Sequence, residues 1–172
     1  MNYGIRTTLD QPFTQTLRAV RDALLGQGFG ILTEIDMAAT MKAKLDVDIA
    51  PQVILGACNP PLAYRALQAE ESVGLLLPCN VVVRSAGGGR TTVEALDPHV
   101  MVAVTGNEQL GAVADDAALR LRAALGSLGG AAAVPAAQGR TSAGASSDAQ
   151  AEDVLPGSQG TPASGAVAMP QP

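Results

Sequence analysis

Residues 52–84 read QVILGACNPPLAYRALQAEESVGLLLPCNVVVR, and this stretch decides the fold. Val53, Ile54 and Leu55 form a short apolar strand that runs into the turn Gly56-Ala57-Cys58-Asn59-Pro60-Pro61. Asn59 is placed to cap a helix that begins at Pro60, where a missing N–H costs nothing. Leu62, Ala63, Ala66 and Leu67 are expected to pack inward from that helix. It should end near Glu70 and Glu71, whose charges oppose the dipole at its carboxyl end. Residues 73–84 read as strand with a break or bulge at Pro78, because proline cannot donate to a central ladder. Beyond the proline, Cys79, Val81 and Val83 share one face, and Asn80, Val82 and Arg84 the other. Both cysteines of the chain lie in this stretch, each followed by asparagine and close to a proline.

Upstream, Ile5, Thr7 and Leu9 alternate as one face of a first strand. Asp10-Gln11-Pro12 starts a helix, with Asp10 or Gln11 as cap, and Phe13, Leu17, Val20 and Leu24 form its apolar stripe. Gly26 and Gly28 stop it. A second strand is expected over 29–35, with Phe29, Ile31, Thr33 and Ile35 on one side. A short helix capped by Asp36 follows, with a stripe of Met37, Met41 and Leu45. Downstream, Gly87-Gly88-Gly89 is a hairpin turn into a strand over 90–96. Residues 99–104 are ambiguous between strand and helix. Thr105-Gly106-Asn107-Glu108 reads as a capping box for a last helix, whose stripe is Leu110, Val113, Ala117, Leu121 and Leu125. Asp116 and Arg120 add an acid-before-base pair one turn apart.

From residue 129 onward the chain is Ala, Gly, Pro, Ser and Gln with no apolar period, so a disordered tail over 129–172 is expected behind a domain at 1–128. The order β-α-β-(α)-β-α-β-β-α implies an α+β domain with an antiparallel sheet and helices on one face. The net charge of −5 and the 2% aromatic content argue against nucleic acid, which needs clustered cations and ring platforms. No apolar run approaches the roughly 20 residues of a membrane span. Two cysteines without a secretory signal suggest reduced thiols and a cytoplasmic location. Nine arginines against two lysines, with abundant Ala and Gly, suit a GC-rich bacterial genome.

The segments GACNPPLAYRAL (56–67) and GLLLPCNVVV (74–83) resemble the two signature segments of the DUF302 family, small bacterial domains of unknown function. The resemblance covers about residues 3–128. It implies a curved antiparallel sheet with helices on one side, of the TBP-like class, and a homodimer.

The chemistry-bearing residues are few. Cys58 precedes a helix start, where the dipole and free N–H groups would favour a thiolate, helped by a cation such as Arg65. Cys58, Asn59, Cys79 and Asn80 are the expected ligand-binding residues. His99, the only histidine, is expected to join Cys58, Cys79 and Met101 in a soft-metal site for Cu(I) or Zn. One histidine cannot build a triad or a multi-histidine site, so no catalytic residues are assigned and an enzyme is not expected. Asp46/Asp48, Glu70/Glu71 and Asp115/Asp116 read as solvated acidic pairs, and Met37, Met41 and Tyr64 as ordinary core or as the lining of a pocket. The leading expectation is a binding or sensing protein with its ligand at the Cys58/Cys79 turns. The alternatives are a thiol redox protein using Cys58 and a purely structural dimerisation module.

Overall fold

A computed structural model describes residues 3–129 of the chain. The expected tail lies outside the described residues, apart from Gly129. Five strands form one open antiparallel sheet: β1 Gly4–Leu9, β2 Gly30–Asp36, β3 Gln52–Cys58, β4 Cys79–Gly87 and β5 Arg90–Leu96, in the order β1-β5-β4-β3-β2. The helices are α1 Phe13–Gly26, α2 Met37–Leu45, α3 Pro60–Ala69, α4 His99–Thr105 and α5 Gly111–Leu128, with 3-10 turns at Glu71–Leu76 and Glu108–Leu110. The expected α+β order therefore holds. The ambiguous residues after Pro98 resolve as helix, closed by Gly106 in the left-handed conformation.

One sheet face carries the main core. Val53, Leu55, Ala57, Val81, Val83, Val93 and Ala95 alternate toward it and meet Leu17, Val20 and Leu24 of α1 and Leu121, Ala124, Leu125 and Leu128 of α5. Period two on the strands and period 3.6 on the helices thus point at one another, and burying such a side chain contributes about 1.5–3 kcal/mol. A second cluster joins Leu62 and Ala66 of α3, Met101 of α4, Val73, and Leu110, Val113, Ala114 and Ala117. The opposite face carries the polar partners in each row. On it Glu94 of β5 lies between Arg6 of β1 and Val82 of β4, and Thr92 lies between Thr8 and Arg84.

Several local expectations are corrected. The β2 stripe splits: a bulge between Ile31 and Thr33 leaves Ile31 opposite Ala57 but sets Thr33 opposite Gly56 and Ile35 opposite Ile54. One extra residue moves every later side chain to the other face. Residues 73–77 are not strand. Val73 turns into the second core cluster as part of a 3-10 turn, and the chain enters β4 only after a cis Leu77–Pro78 bond. Helix α1 starts at Phe13 with Pro12 itself as cap residue and no side-chain cap, so neither Asp10 nor Gln11 fills that role. The capping box does not form. Thr105 ends α4, and Asn107 caps the following 3-10 turn by accepting from the Gln109 N–H. Asp36 does cap α2 through the Ala39 N–H, but α2 buries no side chain, and Leu45 and Leu67 are exposed.

Candidate functional site

The two Cys-Asn turns meet where β3 ends and β4 begins. Register pairs Ala57 with Cys79, so Cys58 lies one residue beyond that pair. Cys58, Cys79 and Met101 all line one cavity, with Phe29, Asn59, Leu62 and Val113 among its other walls. Its volume is about 20 Å³. That is room for roughly one water-sized body, not for an organic ligand. Both cysteines are free thiols.

The cavity sets the character of those thiols. Burial pushes the Cys58 thiol up from its ordinary value. Cys79, more deeply buried, is pushed up to about 11 by burial and then by repulsion from a Cys58 thiolate. Both are therefore neutral at neutral pH. The expected helix assistance to Cys58 is absent for a definite reason. Pro60 and Pro61 bring no N–H, the Asn59 side chain accepts from the Leu62 N–H at 3.3 Å, and the Ala63 N–H goes to the Asn59 carbonyl. No amide of that first turn is left for the sulfur. Arg65 supplies no charge either, since it pairs with Asp116 across to α5.

The remaining expected site residues are distributed differently. Asn59 lines the cavity, but as a helix cap whose amide nitrogen stands where a side chain on Gly28 would go. Asn80 is exposed, lies opposite Gly56 and lines no wall of this cavity. Tyr64 is exposed and lines no wall of this cavity, nor do Met37 and Met41. His99 is also apart from the thiols, so the three-ligand set of Cys58, Cys79 and His99 does not form. Its Nδ1 bonds Asp97 Oδ1 at 2.6 Å and its Nε2 bonds Asp115 Oδ1 at 2.9 Å. Among the described residues, no three His, Cys, Asp or Glu side chains are grouped to hold a metal ion. The acidic pairs have local partners: Asp46 and Asp48 both bind Lys42, and Asp116 binds Arg120 and Arg65. Phe29 and Val113 were not expected as site residues. Their stripes marked them as core, and only the packing shows that this core borders the thiols.

The His99 bridge yields a measurable consequence. Both ring nitrogens can donate only in the imidazolium form. The bonds to Asp115 and Asp97 accordingly raise the His99 pKa above its ordinary value, against a small opposing effect of burial. Because the folded value is raised, the stabilisation is complete below pH ~6.5, the unfolded value, and fades as pH rises through the folded value. The side chain is 47% exposed, so screening holds the contribution to about 0–1 kcal/mol. A proton NMR titration of this single imidazole should give a midpoint above ~6.5. A midpoint at or below that value would show that the bridge does not persist in solution.

The fold and this buried dithiol cavity define a small α+β domain with an open antiparallel sheet. The family model "Domain of unknown function DUF302" matches residues 5–128, and the chain belongs to that family. A similar solved structure is the crystal structure of an uncharacterized conserved DUF302 protein from Bacillus stearothermophilus. It shares 28% identity with a TM-score of 0.68, over 73% of this chain and 98% of that one. No curated protein matches the chain. Among the described residues, no helix is long and apolar enough to cross a membrane.

Proposed function

We propose that the chain is a binding or sensing protein that holds one soft monovalent cation, Cu(I), between Cys58 and Cys79, with the Met101 thioether beside them. The observation that carries this reading is the cavity itself, a space of about 20 Å³ lined by two cysteines and a methionine. Soft sulfur donors in low number suit Cu(I), whereas Zn favours four ligands. The neutral thiols weigh against the redox alternative, because the attacking species in thiol chemistry is the thiolate. They also make binding proton-coupled, since each thiol that ligates must lose its proton. A cytoplasmic location, where thiols stay reduced, fits the same reading.

Cu(I) titrated against a chelator such as bicinchoninate should show one equivalent bound by the wild type and none by Cys79→Ser. The apparent affinity should rise with pH, by up to about a hundredfold per unit if two protons leave. Equal competition by wild type and Cys79→Ser would remove the cation from the account and leave the cysteines as packing.

We further propose that the protein acts as a homodimer joined at the β2 side of the sheet. Leu32, Ile35, Leu45, Val47 and Ile49 are all exposed within one short stretch of chain there. That is more apolar surface than scattered single residues give. Sedimentation at micromolar concentration should show twice the 17.3 kDa chain mass, and a purely monomeric species would overturn this.

A further inference from the structure

The sheet face opposite α1 and α5 carries a groove that the cation site does not use. Val82 and Leu96 are its apolar floor, Glu94 lies beside them, and Tyr3 and Asn80 stand around it, enclosing about 270 Å³. Past Glu94 it continues into a more polar space of about 390 Å³ beside Arg6. Small-molecule sites begin at about this size, roughly 300 Å³.

Strand register explains the arrangement. Glu94 lies directly between Arg6 on β1 and Val82 on β4, and Leu96 is next along the same face. Arg6 Nε donates to Glu94 Oε1 at 2.6 Å, and Arg84 donates to Glu94 Oε2 from Nε at 3.1 Å and Nη2 at 2.9 Å. Burial alone would push the Glu94 carboxyl up, but the two guanidiniums outweigh it and hold its pKa below the ordinary value. Two cations thus share one carboxylate, which leaves a net charge of +1 at one end of an apolar floor. The Arg6 side chain is 63% exposed, and a guanidinium has five N–H donors, more than Glu94 takes. Tyr3, 69% exposed, offers a ring at the rim.

We propose that this groove binds a small amphiphilic monoanion, a carboxylate with an apolar body. The body lies on Val82 and Leu96 against the Tyr3 ring, and the carboxylate takes the outward donors of Arg6. Charge complementarity selects the anion, because a neutral ligand leaves the excess cation unused and a cationic one meets it directly. The site shares no residue with the thiol cavity, so it stands or falls separately from the Cu(I) reading.

The test is a titration of the full chain with decanoate, below its micellar concentration, followed through backbone amide shifts. Shifts should concentrate at Val82, Glu94 and Leu96 and saturate with a single site. Arg6→Ala should weaken binding about tenfold, and decanol should bind wild type about tenfold more weakly than decanoate. Val82→Glu, on a solvent-facing position, should abolish the shifts while the amides of α5 keep their positions. Saturation without an effect of Arg6→Ala, equal binding of decanol, or no shift at these amides would overturn the proposal. So would concentration-dependent shifts at the same amides without decanoate, which would mark the face as a contact between two copies.

Discussion

Replacing Phe29 by alanine is expected to cost about 3–5 kcal/mol of stability. Phe29 is 2% exposed and stands where the main core meets the thiol cavity. It is held there by the turn after α1, where Gly28 takes φ +81° and the Phe29 N–H bonds the Leu24 carbonyl at 2.9 Å. Removing the ring deletes its burial and leaves a void that the rigid sheet on one side cannot close. A domain of this kind has about 5–15 kcal/mol in total, so the loss is a large fraction. The urea midpoint reports it. The void also opens onto Cys79, so native-state alkylation of that thiol should accelerate in the variant. A loss below about 1 kcal/mol would show that the helices collapse into the space.

Gly56→Ala should also be costly, at about 1–3 kcal/mol, although it adds a single methyl group. Gly56 lies in the middle of three adjacent strands, opposite Thr33 on β2 and Asn80 on β4. A Cβ there would overlap Thr33 Oγ1 and meet the Pro78 ring carbon Cγ at 2.8 Å. The ring belongs to the turn that delivers Cys79 to its strand, so relief of the overlap must shift that turn. Gly56→Ala should therefore weaken Cu(I) retention as well as stability. Thr33→Ala combined with Gly56→Ala should recover part of the loss, because one of the two overlapping groups is gone. No recovery in the double variant would place the whole conflict at Pro78.

The elements whose side chains follow one unbroken period were legible in the residues alone. The stripe of Leu110, in the turn before α5, and Val113, Ala117, Leu121 and Leu125 of α5 is buried throughout, and Cys79, Val81 and Val83 face the core as their alternation implies. Elements governed by backbone detail were not. Nothing in Ile31-Leu32-Thr33 announces a bulge, and Gly74-Leu75-Leu76-Leu77 is a continuous apolar run whose period fits helix and strand equally. At the site, proximity of the two cysteines was readable from the two turns, but their chemistry was not. Its determinants are burial and the prolines at Pro60 and Pro61, which remove the very amides that a helix start usually offers. The Arg6–Glu94–Arg84 group was invisible for another reason: Arg6 and Glu94 are 88 residues apart, and only the pairing of β1 with β5 joins them.

That pairing also governs the order of events on the ribosome. β1 and β2 follow one another in the chain yet occupy opposite edges of the sheet, with β3, β4 and β5 between them. The nascent β1 has no strand partner until β5, residues 90–96, has emerged, and α1 cannot find its floor until β3 and β4 exist. Pairing over such a span is slow, because loop closure must precede any reward from contact. The β2–β3–β4 meander can assemble first, so it is the expected early folding unit, with β1 docking last. Released fragments ending before residue 90 should therefore leave β1 open to protease while protecting the meander.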